Sequence, residues 1–96
     1  MKEKKYVIVR TCSAGVFAGL LVSRKGKEVV MENARRLWYW SGAASLSQLS
    51  MEGTKDADNC KFPMAVKRIE LTEAIEILDT TPEAQKSIEA VSVWAK

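Results

Sequence analysis

The chain has 96 residues, 47% of them hydrophobic and 28% charged, which suits one domain with one core and excludes a two-domain arrangement. It has no histidine and only two cysteines, Cys12 and Cys60, without CxxC spacing; the usual zinc sites and the Ser-His and Cys-His nucleophile pairs are therefore excluded. The net charge of +3 hides a division: residues 1–36 hold nine Lys or Arg against three Glu (+6), residues 37–96 six against nine acidic residues (−3). Such a split allows a basic pocket built by the first part, or charge-complementary contacts between subunits.

The first element in the chain is KYVIVRT (5–11), a β-branched run that predicts a strand, ended by the small residues Cys12, Ser13, Ala14 and Gly15. VFAGLLVS (16–23) predicts a second strand, and SRKGKE then EVVMEN a hairpin with Gly26 in the turn. From Thr11 to Val22 only twelve residues are uncharged, too few for a membrane span. The first forty residues thus read as a three-stranded meander, interrupted by a bulge or short turn at Asn33 and Ala34.

Ser41 is expected to cap a helix of about three turns, with Ala43, Leu46 and Leu49 on one face and Gly53 as its stop. Residues 54–63 are polar, end in Pro63 and read as a loop. VKRIEL (66–71) alternates as a strand does. TEAIEIL (72–78) fits a strand through Ile75 and Ile77, or a helix through Leu71, Ile75 and Leu78; its shortness and flanking turn-formers favour the strand. Thr81 as cap and Pro82 at the first position start a second short helix, PEAQKSIEA, and VSVW (91–94) is expected to add an edge strand. The sum is a single α+β domain over residues 1–96: a small antiparallel sheet, a meander plus later strands, with two short helices.

The most informative stretch is ARRLWYWSG (34–42). If extended, it sets Arg35, Leu37 and Tyr39 on one side and Arg36, Trp38 and Trp40 on the other. A domain this small buries one such face and leaves the other for a ligand, a subunit or solvent. Rings stack on bases, Arg binds phosphate, and a helix start at Ser41 and Gly42 would present free N–H groups to an anion. Arg10 and the turn TCSAG, with Ser13, offer further donors. Core packing of the same rings, with Arg stacked on them, is the competing account.

No catalytic constellation is visible. Glu70, Glu73 and Glu76 read as a solvated face, and Cys12 near Arg10 lacks an identifiable base. No metal or cofactor is expected. A lone cysteine pair without a secretory signal reads as two buried thiols in a reducing compartment. Nucleic acid is disfavoured as a partner by the acidic remainder of the chain and by the lack of a Lys/Arg stripe.

KYVIVRTCSAGVFAG and ENARRLWYWSGAASLSQLSMEG, followed by CKFP and LTEAIEIL, resemble a widespread family of small phage and prophage proteins across nearly the whole chain. The resemblance implies a phage origin, a small α+β domain, and residence in the cytoplasm of an infected bacterium. By analogy with phage proteins that sequester nucleotide signals of bacterial immunity, it implies a non-catalytic homo-oligomer that binds a small phosphorylated, nucleotide-like molecule. Arg35 and Arg36 would then hold phosphate, Trp38, Tyr39 or Trp40 would stack, Ser41 and Ser13 would donate hydrogen bonds, and Arg10 would also belong to the ligand-binding set. The alternative is a phage accessory protein that binds nucleic acid or a host protein.

Overall fold

The computed structural model describes residues 4–95. Five strands, β1 (Tyr6–Thr11), β2 (Val16–Lys25), β3 (Glu28–Arg36), β4 (Val66–Leu71) and β5 (Ala74–Asp79), form one antiparallel sheet in the order β4-β3-β2-β1-β5. Two helices, α1 (Leu46–Glu52) and α2 (Pro82–Ala90), complete a small α+β fold. The meander is β1–β3, and its second hairpin turns at Gly26, whose φ of 61° suits a residue without Cβ.

The two edges of the sheet are consecutive in the chain. β4 and β5 are joined by Thr72 and Glu73 alone, so this sheet must curl until its edges meet. Two bonds fasten the junction: the Cys12 amide donates to the Glu73 carbonyl at 2.9 Å, and the Ala74 amide to Lys27 at 3.0 Å. Alternation along the strands then sorts the side chains into two cores. Val7, Val9, Phe17, Val29, Met31, Ala34 and Leu71 pack inside the curl. Tyr6, Ile8 and Ala18 point the other way and meet Leu37, Leu49, Cys60, Phe62, Ile88 and Val91.

Both helices are capped from the sequence, but one starts later than expected. Thr81 Oγ1 accepts from the Ala84 amide at 3.0 Å with Pro82 in the first turn, as predicted. For α1 the cap is Ser45, which accepts from the Gln48 amide at 3.1 Å; Ser41 is not a helix start. Gly42, with φ of 83°, lies so close to Lys55 and Asp56 that a Cβ there would fall 2.4 Å from the Asp56 amide nitrogen. The Ser41–Gly42 segment is thus packed against the 54–56 loop, and the helix waits for the next residue able to cap. Gly53 does end α1, as its position suggested.

Two further expectations are corrected. VSVW is not an edge strand: Val93 makes one isolated parallel bridge to Phe62. Of the two thiols only Cys60 is buried; Cys12 is exposed, and both are free.

Candidate functional site

Arg35 and Arg36 are neighbours with opposite fates, and a bulge decides which goes where. Between Ala18 and Leu20 the β2 strand advances two residues while β3 advances three, from Arg35 to Glu32. The extra residue is accommodated at Asn33, in the left-handed region at φ 50°. Past the bulge the alternation is reversed, so Ala34 points into the curl and Arg35 points out toward the helices. There it is 6% exposed and donates to four backbone carbonyls: Pro63 through Nε at 3.1 Å, Ile88 and Val91 through Nη1 at 3.1 and 2.8 Å, and Phe62 through Nη2 at 2.6 Å. Arg35 thus ties α2 and the 62–63 segment to β3; its guanidinium is an internal strut. Arg36 returns to the side of the curl, where it is exposed, its guanidinium 4.6 Å from the centre of the Phe17 ring.

The strict alternation expected for residues 35–40 holds only to Trp38. Leu37 is buried and Trp38 is 58% exposed, yet Tyr39 is half exposed while Trp40 packs against the helix-side core. The chain leaves the sheet here and pairs elsewhere: Tyr39 bridges Lys61 through N–H···O bonds of 3.3 and 2.7 Å. Phe62 in turn accepts from the Trp94 amide at 3.0 Å. Three short segments, 38–39, 61–62 and 93–94, therefore lie side by side on the surface.

Their side chains make a platform. The Trp38 and Trp94 rings stack with centroids 5.1 Å apart and planes inclined by 12°. The Lys61 ammonium sits 5.3 Å from the Trp38 centroid, 5.6 Å from Trp94 and 5.9 Å from Tyr39. The two Trp distances nearly equal the ring separation, which puts the ammonium beside the stack rather than on the outer face of either ring. Among the described residues Lys61 forms no ion pair with a carboxylate. Lys61 and Trp94 were not singled out from the sequence, because nothing local to either signals a partner that lies more than twenty residues away.

The remaining expected residues disperse. Arg10 pairs with Glu76 on β5 at 3.0 Å. Ser13 lines a small cleft of 120 Å³ with Glu70 and Glu73, whose carboxylates repel phosphate. The amides of its neighbours are committed, Cys12 to Glu73 and Ala14 to the Thr11 hydroxyl at 2.9 Å. Ser41 donates to Asp56 Oδ2 at 2.9 Å, its amide approaches Cys60 Sγ at 3.5 Å, and its carbonyl accepts from the Thr54 hydroxyl. Ser41 belongs to a polar knot that shapes the 41–60 loop. The structure thus gathers Trp38 and Tyr39, adds Lys61 and Trp94, leaves Arg36 over Phe17, and turns Arg10, Arg35, Trp40 and Ser41 to other partners.

A family model described as a domain of unknown function, DUF6948, matches residues 4–88, and the chain belongs to that family. Comparison with curated proteins and with solved structures found no match.

Proposed function

We propose that this DUF6948 protein is a non-catalytic binder of a small phosphorylated, nucleotide-like molecule, with the base stacked on the open face of Trp38 and the phosphate held by Lys61. The observation that carries the reading is the Trp38–Trp94 stack, solvent-facing at Trp38 and flanked by an ammonium without a carboxylate partner among the described residues. An aromatic face is worth about 1–3 kcal/mol per stacked base. Holding it in a preformed stack removes the ordering cost that a free side chain would meet on binding. Lys61, set at the rim of the rings, is placed for the phosphate that accompanies a base. Sequestration of a nucleotide signal, the role implied by the resemblance to phage proteins, needs this much and no catalytic group.

A second reading has its own support. Trp38 and Tyr39 are both half exposed or more, so the platform is open rather than enclosed. An open aromatic and basic surface suits the bases of a single strand, or a second subunit that closes over the ligand. Tryptophan fluorescence separates the readings. Titration with cyclic dinucleotides, cyclic ADP-ribose forms and short oligonucleotides is expected to quench emission with mononucleotide-sized ligands and to stabilise the protein in thermal melts. Response to oligonucleotides alone, weakening steeply with salt, would transfer the assignment to nucleic acid.

A further inference from the structure

A cleft of 340 Å³ opens where β1, the Asn33 bulge and the segment after α2 meet. Two of the residues lining it, Tyr6 and Arg35, are each 6% exposed, an unusual pair of buried polar side chains in a recess also lined by Asn33 and Glu89. Ala65, Val91 and Val93 supply the apolar wall, and Glu89 stands among the lining residues but is itself exposed.

Neither buried group has exhausted its bonding. Arg35 spends four of its five N–H donors on carbonyls and leaves one on Nη2. Its charge is opposed by no carboxylate within salt-bridge distance among the described residues. The Tyr6 hydroxyl has no hydrogen-bond partner among the described residues, and Tyr6 lines a second cleft, beside Thr80 and Gln85, as well as this one. Burial and the Glu89 charge hold that phenol protonated well above its ordinary range, so it remains a donor. A buried cation and a buried O–H donor together select an anionic oxygen.

We propose that this cleft binds a small α-amino acid with an apolar side chain: its carboxylate meets Arg35 and Tyr6, its ammonium faces Glu89, and its side chain lies on Val91, Val93 and Ala65. Glu89 distinguishes this ligand from a plain carboxylate, which it repels, and from a plain amine, which Arg35 repels. The recess is within the size range of small-ligand sites. It uses none of the platform's rings or Lys61, so the two sites stand or fall separately.

The test is methyl NMR of Val91 and Val93 with calorimetry, using L-leucine, 4-methylpentanoate and 3-methylbutylamine as probes on the full chain. L-Leucine is expected to shift both valines at millimolar concentration, and the two single-charge probes to bind about tenfold more weakly or worse. Tyr6→Phe keeps the core ring and weakens leucine about fivefold. Glu89→Gln, on an exposed residue, narrows the gap between leucine and 4-methylpentanoate, while Trp38→Ala leaves leucine binding unchanged. Valine methyls unmoved by tens of millimolar leucine overturn the proposal, as does equal leucine affinity in Tyr6→Phe.

Discussion

Arg35 on β3 donates through Nη1 to the carbonyl of Ile88, near the end of α2 and 53 positions along the chain, at 3.1 Å. One guanidinium therefore holds the last helix against the sheet, and the same group bonds the Val91, Phe62 and Pro63 carbonyls. Removal leaves buried acceptors without donors. Arg35→Met should destabilise the protein, since each buried carbonyl left without a donor costs about 1–3 kcal/mol. Arg35→Lys should restore little of it, because one ammonium cannot reach four carbonyls set around a planar fork. Urea denaturation of both variants measures this; a wild-type midpoint in Arg35→Lys would show that charge alone, not the fork, is needed.

The close pairing of β2 and β3 depends on a glycine. A Cβ at Gly19 would fall 2.7 Å from the Ala34 Cα and 3.0 Å from the Glu32 carbonyl oxygen, in backbone that has little room to move. Gly19→Ala should cost about 1–3 kcal/mol as overpacking. Gly26→Ala is the control: open space surrounds that position, and only its φ of 61° opposes a side chain, at about 1–2 kcal/mol. Melting curves measure both costs, and NMR spectra should show Gly19→Ala shifting the resonances of Asn33 and Ala34 while Gly26→Ala leaves them in place.

Trp38 is exposed, so its loss should spare the fold and strike the ligand. Trp38→Ala is expected to change stability by less than about 1 kcal/mol and to weaken nucleotide binding by about 5- to 100-fold. Lys61→Met should reduce affinity for the phosphorylated ligand while leaving the bare nucleoside bound as before. Calorimetry of nucleoside and nucleotide on each variant provides the comparison. Equal affinity of wild type and Trp38→Ala would remove the platform from the binding account.

The caps offer a direct contrast between two serines. Ser45→Ala removes the bond to the Gln48 amide and should cost about 1 kcal/mol, with amide exchange accelerating in α1. Ser41→Ala breaks the bond to Asp56 instead. Its exchange signature should appear in the 54–60 loop, not in the helix.

Alkaline stability should report Tyr6. Burial chiefly, with the Glu89 carboxylate adding to it and Arg35 opposing, raises this phenol above its ordinary value of 10. While both folded and unfolded chains keep the proton, below about pH 10, the group contributes no pH dependence. Above it the unfolded chain ionises first, so stability falls as pH rises toward the folded pKa. Urea midpoints at pH 8 and pH 11 should therefore converge in Tyr6→Phe relative to wild type; an unchanged alkaline slope in that variant would assign the effect to other groups.

Local chemistry settled much of this protein in advance. β-Branched runs, glycine turns, Thr81 with Pro82 and the stop at Gly53 act over a few residues, so the strands, the second helix and the α+β class were legible in order. Where two nearby residues competed, the pattern misled: Ser41 and Ser45 are both good caps, and only the packing of Gly42 against Asp56 decided between them. The segment 91–94 alternates like a strand, but its partner, Phe62, offers one bridge and no ladder.

The ring-rich stretch was legible in the sequence, and its two arginines were not separable there. A single bulged residue at Asn33 reverses the facing of all that follows it, sending Arg35 among carbonyls of distant segments and leaving Arg36 exposed over Phe17 on the side of the curl. Lys61 and Trp94 join Trp38 through contacts 23 and more positions apart, which no local window contains. Short-range preference determined which residues extend, turn or cap; closure of the sheet and the register of one bulge determined which of them meet, because side-chain direction in a strand changes with every residue gained or lost.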